Sequence, residues 1–408
     1  MYSSFSPFFF FSGFLLADSD FSNDIYINFQ YKFFYDDNVF YTLDENKVSS
    51  KISSFILEME CSRTKSNLFY RFGLKCDLDR YEDFSSDGLS EIPEYEKNKV
   101  NLSANLEVGY KFTDRVMVKL KDDFERKYRP DFLNPMEVVY GKFNDNKTIF
   151  GVYYRIFTRT ELKGEVGAEK LDYDNSNKTQ EFSFINSTGK LLNFGVRYHF
   201  SGTFYVDLDY SKDNRDFDVN YLDYTDELYF IHLHKILDTY MAFDADFGVQ
   251  DRSYDTFLWD SGKNVFSKLN FSIKRERSII SLNYTRTRSL AANYSEDFYM
   301  MNLFDVKFKY NLDRRNILFL NVGFRRDNFE LYPADFENPE KGLRVDKYYN
   351  FNISYLRNLS NKYAIEFRYN RFKRDSNNEY FPFTKNVFAV SFKINIFNRG
   401  NKNPLTIQ

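Results

Sequence analysis

The sequence predicts an all-β fold, a closed antiparallel transmembrane β-barrel of about 18 strands with short periplasmic turns and long extracellular loops. Three observations predict it. Runs of roughly 10–14 residues alternate apolar and polar side chains. The connections between runs alternate short and long. Finally, the chain is both aromatic and polar: of 408 residues, 20% are aromatic (48 Phe, 33 Tyr, 1 Trp) and 28% are charged.

That composition excludes several classes. A bundle of transmembrane helices needs repeated apolar runs of about 20 residues, and none is present. With 56 Lys+Arg against 59 Asp+Glu the net charge is -3, which is no basic nucleic-acid binder. Two Cys exclude a disulfide scaffold or a cysteine zinc module. Strands with one apolar and one polar face fit what remains.

The first element is Phe8 to Ala17, the one continuous apolar run and too short to span a bilayer as a helix. It predicts a signal peptide over residues 1–17 with cleavage after Ala17, although no Lys or Arg precedes it. The barrel then occupies 18–397, and 398–408 form a polar tail.

Strands are expected at 25–35, 51–62, 67–80, 99–112, 115–127, 147–158, 161–173, 190–201 and 203–213, then at 226–236, 238–253, 264–275, 278–290, 303–313, 316–330, 347–358, 363–375 and 386–397. The run 99–112 shows the reasoning. Val100, Leu102, Ala104, Leu106, Val108, Tyr110 and Phe112 share one parity, and Asn101, Ser103, Asn105, Glu107, Gly109 and Lys111 the other. A period of two puts these on opposite faces of a sheet, whereas a helix would scatter both. The apolar face is shortest in 226–236, where it comprises Tyr229, Ile231 and Leu233.

Short connections centre on Thr113-Asp114, Arg159-Thr160, Ser201-Gly202, Leu237-Asp238, Glu276-Arg277, Asp313-Arg315 and Asn358-Asn361. The long ones hold most of the prolines, including Pro93, Pro130, Pro135, Pro333, Pro339 and Pro382. A soluble sandwich has no reason to gather every long loop at one end, whereas an outer-membrane barrel does.

In such a barrel the apolar faces meet lipid and the polar faces line a lumen too wide for side chains to fill. The candidate lumen-lining residues are Arg71, Lys75, Glu107, Lys119, Lys121, Asp123, Arg155, Arg197, Asp207, Asp209, Asp244, Asp246, Lys307, Arg325 and Arg368. Opposite signs on adjacent strands suggest ladders that stiffen the wall. Neither sign dominates, so strong ion selectivity is not expected. Tyr153, Phe157 and Phe230 are aromatic candidates for stacking on sugar rings, with wall packing as the plainer role.

Little catalytic chemistry is present. His232 and His234 have metal-ligating spacing on one strand face, but no Cys/His cluster or carboxylate motif converges on them in sequence, so no metal or cofactor is expected. With 3 His in all, a Ser–His–acid site has thin support. No phosphate-loop, dinucleotide or nucleophile-elbow motif occurs. Cys61 and Cys76 share the apolar parity. A hairpin turning at 63–66 sets Cys76 opposite a residue near Ser53, too far from Cys61 for a disulfide.

Tyr35-Asp36-Asp37-Asn38-Val39-Phe40, an acidic loop and then Lys51-Ile52-Ser53-Ser54-Phe55-Ile56-Leu57 make an opening that resembles the beta-barrel porin 2 family. Asp114-Arg115-Val116 leading to Tyr128-Arg129-Pro130-Asp131, and Val166-Gly167-Ala168-Glu169, extend the resemblance over nearly the whole mature chain. It implies an outer-membrane barrel without catalytic residues. Some relatives are associated with capsule or exopolysaccharide export. One departure lies at the end: Phe397 precedes eleven further residues and has the opposite parity to Phe392, Ile394 and Ile396.

The expected function is a passive outer-membrane conduit for polysaccharide or small hydrophilic solutes. Its expected partners are membrane lipid, lipopolysaccharide and periplasmic polysaccharide-export components. The alternative is a surface-interaction or structural barrel plugged by loops such as 81–98 and 129–146. A barrel enzyme is disfavoured by the scarcity of histidine.

Overall fold

In the computed structural model the chain forms one 18-stranded sheet that closes on itself. The structure describes residues 23–37, 49–85, 98–127, 143–173, 186–218, 223–254, 262–290, 298–333, 342–378 and 382–399. The signal peptide expected over 1–17 lies outside them. In chain order the strands are β1 (Asn23–Asp36), β2 (Ser49–Lys65), β3 (Leu68–Ser85), β4 (Asn98–Lys111), β5 (Val116–Lys127), β6 (Phe143–Phe157), β7 (Thr160–Tyr173), β8 (Ser187–Ser201) and β9 (Phe204–Phe217). They continue as β10 (Tyr224–Ile236), β11 (Met241–Tyr254), β12 (Gly262–Lys274), β13 (Ser278–Leu290), β14 (Phe298–Asn311), β15 (Asn316–Pro333), β16 (Leu343–Asn358), β17 (Tyr363–Ser376) and β18 (Phe383–Arg399). Each pairs antiparallel with its neighbours in sequence, and β1 pairs with β18 to close the ring. Closure leaves no strand edge, which hydrocarbon cannot solvate.

Connections after even-numbered strands are two to four residues long, and those after odd-numbered strands are six to 15. Four of the tight turns share one device, a short polar side chain that accepts the backbone N–H groups two and three residues on. Asp313 Oδ1 accepts from Arg315 (2.7 Å) and Asn316 (2.9 Å). Asp238 Oδ1 does the same for Tyr240 (2.6 Å) and Met241 (2.8 Å). The Thr113 and Ser360 hydroxyls hold the turns before β5 and β17 in this way. The Asn316 side-chain amide and then the Arg315 N–H hold the Asp313 carboxyl below the ordinary carboxylate range, so these bonds persist in mild acid and loosen only below it.

Two registers differ from those expected. The β2–β3 turn centres on Ser66, at φ 48°, and Asn67, so Cys76 faces Leu57 and not the vicinity of Ser53. Cys61 faces Phe72, and both cysteines are free. In β18 a bulge between the partners of Ile27 and Asn28 inserts one residue. Phe397 therefore pairs with Ile27 and re-enters the register of the apolar face that Ile394 shares with Phe29, which accounts for its odd parity in sequence.

Most strands run further toward the long loops than expected; β6 begins at Phe143 instead of 147, and β14 at Phe298 instead of 303. Several outward positions near the long-loop ends are polar. Lys170 pairs with Asp172 at 2.7 Å, and Lys212 with Glu227 at 3.0 Å. The barrel wall thus continues beyond the lipid band, where backbone pairing persists but nothing requires an apolar exterior. Below this skirt the exterior is apolar: Leu192, Phe194, Tyr198 and Phe200 of β8 are all exposed, as are Phe150, Val152 and Tyr154 of β6. Tyr110, Tyr154, Tyr198, Tyr240 and Tyr363 lie near the tight-turn end as an aromatic girdle.

Candidate functional site

The inner face carries the polar parity of every strand. All the candidate residues stand on it, distributed around the ring instead of meeting at one point, and each has a partner. Arg71 reaches Glu60 at 2.9 Å, Lys75 reaches Glu58 at 3.4 Å and Lys119 reaches Glu107 at 3.3 Å. Lys121 pairs with Asp123. Arg155 holds Glu161 at 2.9 Å, and Asp209 holds Lys163 at 2.8 Å. Arg197 donates to Asp207 through Nε and Nη2, both at 2.7 Å. Asp244 and Asp246 meet His234 and His232, each at 2.5 Å. Lys307 lies 3.5 Å from Asp305, Arg325 2.7 Å from Asp327 and Arg368 2.6 Å from Glu366.

These pairs are of two kinds. Some cross between adjacent strands, as the opposed signs suggested. Others join residues two apart on one strand, which share a face by the period of two: Lys121–Asp123, Asp305–Lys307, Arg325–Asp327, Arg344–Asp346 and Glu366–Arg368. In the last three the arginine covers its acid, and Asp327 and Asp346 have no exposed surface. Around them Arg325 Nη2 donates to the Tyr299 hydroxyl at 2.9 Å, and the Tyr348 hydroxyl donates to Asp346 at 3.0 Å. Lys385 and Asp36 form a further buried pair at 2.8 Å across the β1–β18 closure. Arg344 and Asp346 fall between the strands expected at 316–330 and 347–358 and so are absent from the candidates, although Arg-Val-Asp at 344–346 carries the same two-residue signal as Arg325-Arg326-Asp327.

Some pairs skip a strand, as Arg215 of β9 and Glu169 of β7 do across Gly189 of β8 at 3.2 Å. Lys163 of β7 and Asp209 of β9 both stand opposite Gly195 of β8. A Cβ on Gly195 would lie 2.1 Å from Asp209 Oδ1 and 3.1 Å from Lys163 Cε, so only glycine leaves room for the crossing. Gly195→Ala is expected to split this pair and lower stability by about 1–3 kcal/mol, the usual cost of overpacking. Urea unfolding in lipid vesicles checks this, with Gly164→Ala, whose Cβ meets nothing within 4 Å, as the control.

Of the aromatic candidates, Tyr153 is buried on the inner wall and donates its hydroxyl to Glu165 at 2.5 Å. Phe230 is also inward, with Phe266 at 6.0 Å. Phe157 is not: the register shift between Arg155 and Phe157 pairs it with Thr160 on the outward parity, and it is exposed at the tight-turn rim. Near that rim Tyr205 stacks on His234 with ring centroids 4.6 Å apart, while the Arg197 guanidinium lies 3.7 Å from the Tyr205 centroid.

A closed antiparallel barrel with an apolar exterior, a charged interior and long loops at one end is a transmembrane barrel of the bacterial outer-membrane type. Solved structures share the fold. OpdK of Pseudomonas aeruginosa, determined with vanillate, aligns with a TM-score of 0.52 and 11% identity, over 92% of this chain and 99% of its own. OccK9 (OpdG) of the same organism aligns at 0.51 and 12%, over 92% and 99%. A BenF-like porin from Pseudomonas fluorescens Pf-5 gives 0.51 and 12%, over 91% and 99%. No protein-family profile matches the sequence, and no curated protein does.

Proposed function

We propose that this barrel is an outer-membrane channel for small hydrophilic solutes. The observation that carries the reading is the inner wall, where charged groups of both signs are paired around a closed ring. Such a surface is wettable without presenting a strong net field. The folding of Arg325, Arg344 and Arg368 over their acids, which leaves Asp327, Asp346 and Glu366 at 0–1% exposure, favours a constricted passage over a wide bore. That in turn favours small solutes over an extended polysaccharide, the cargo that the resemblance to beta-barrel porin 2 suggests. OpdK, a barrel of the same fold, was determined with a small solute, vanillate. On the exterior, the polar skirt around Lys170, Asp172, Lys190 and Asp216 would meet the headgroups of lipopolysaccharide.

The test is single-channel recording of the refolded barrel in a planar bilayer. Stable conductance steps with little preference between small cations and anions are expected. Silence from protein shown to be folded would overturn the reading in favour of a plugged surface-interaction barrel.

A further inference from the structure

The pairing of β10 with β11 sets His232 opposite Asp246 and His234 opposite Asp244. The carboxylates that sequence spacing did not supply to the His-x-His pair thus come from the next strand. One potential ligand atom from each of His232, His234 and Asp244 lies within 4.8 Å of the other two. We propose that these three residues bind a divalent transition-metal ion of the zinc class on the inner wall near the turn 237–240, with Asp246 as a positioning residue.

The chemistry follows from which nitrogen is engaged. Each imidazole meets its aspartate through Nδ1, at 2.5 Å in both cases. A carboxylate accepting from Nδ1–H fixes the tautomer and leaves Nε2 as the basic nitrogen, the arrangement that stands behind most histidine metal ligands. Asp244 has two oxygens, so one can hold His234 and the other the ion.

The site is also rigid. Asp246 is fully buried, and its Oδ2 accepts no hydrogen bond among the described residues. His232 is 5% exposed. Tyr205 stacks on His234 and lies 5.7 Å from the His232 ring. Two nitrogens and a carboxylate suit Zn²⁺, Ni²⁺ or Cu²⁺ and not the all-oxygen preferences of Ca²⁺ or Mg²⁺. Three protein ligands leave a position for water or a passing solute. Lys268 stands opposite Asp246 on β12, and its charge acts on both aspartates. It competes with the ion for both aspartates and weakens its binding.

The experiment uses the tag-free refolded barrel, stripped with EDTA and titrated with ZnCl₂ by calorimetry and with CoCl₂ by visible absorption. One Zn²⁺ per chain is expected. His232→Ala/His234→Ala should abolish uptake, and Asp246→Asn should weaken it about 10–100-fold. His199→Asn, which removes the third histidine, should bind as wild type. Heat-modifiable migration on gels reports folding. Should the double variant not refold, His234→Gln, at a side chain 22% exposed, replaces it. Folded wild-type protein that takes no Zn²⁺, or histidine variants that bind it as well as wild type, would overturn the proposal.

Discussion

Asp207→Ala is expected to lower the unfolding free energy by about 3–5 kcal/mol, among the largest losses from any single truncation on the inner wall. Asp207 and Arg197 are 3% and 4% exposed and joined by two parallel hydrogen bonds. A guanidinium does not deprotonate in a protein. Removing the carboxylate therefore leaves a charge that can neither neutralise nor reach bulk water from behind Tyr205. The penalty is that of the orphaned cation and not the net worth of the pair, so removing both charges should cost much less. Arg197→Met/Asp207→Leu is expected to recover most of the loss. Urea midpoints in lipid vesicles, at unchanged m-value, give the comparison. If the single variant costs only about 0–1 kcal/mol, water reaches the pair and the wall there is an open surface.

The architecture was legible because a bilayer imposes a two-sided demand on every strand. Val100 to Phe112 alternates cleanly because each outward position meets lipid and each inward one meets polar neighbours. The legibility fails where the demand lapses. Asn144 and Asn146 of β6 and Asn214 and Asp216 of β9 lie on outward positions above the lipid band, so the alternation dissolves there while the backbone ladder continues. Bulges hide in the same way. One inserted residue inverts parity, so in sequence Phe397 falls on the wrong parity and Phe157 reads as an inward aromatic until the pairing is known.

The inner wall was half legible. Parity alone assigns the face of Lys119 or Arg197. Which acid each cation meets depends on register, and register depends on where each turn centres. The histidine pair shows the limit most clearly: its aspartates lie 10 and 14 residues away, and only the position of the turn 237–240 brings them opposite.

Val166→Arg tests the outer face, on which the membrane assignment rests. Val166 is 54% exposed, pairs with Phe150 and Leu192, and sits midway between the tight-turn rim of β7 and the polar Lys170. If this face meets hydrocarbon, the guanidinium cannot snorkel to either interface without distorting the bilayer. The expected cost is about 2–4 kcal/mol. The same substitution at Phe200, exposed at the tight-turn end of β8, should cost about 0–1 kcal/mol, because the side chain reaches headgroups directly. The quantity that matters is the difference between the two positions. A general dislike of arginine in a β-strand would penalise both alike, whereas a bilayer penalises by depth. Equal costs in vesicles would mean that Val166 does not lie at the lipid midplane. A gradient of about 2 kcal/mol or more between two equally exposed sites has no source other than the dielectric profile of the membrane.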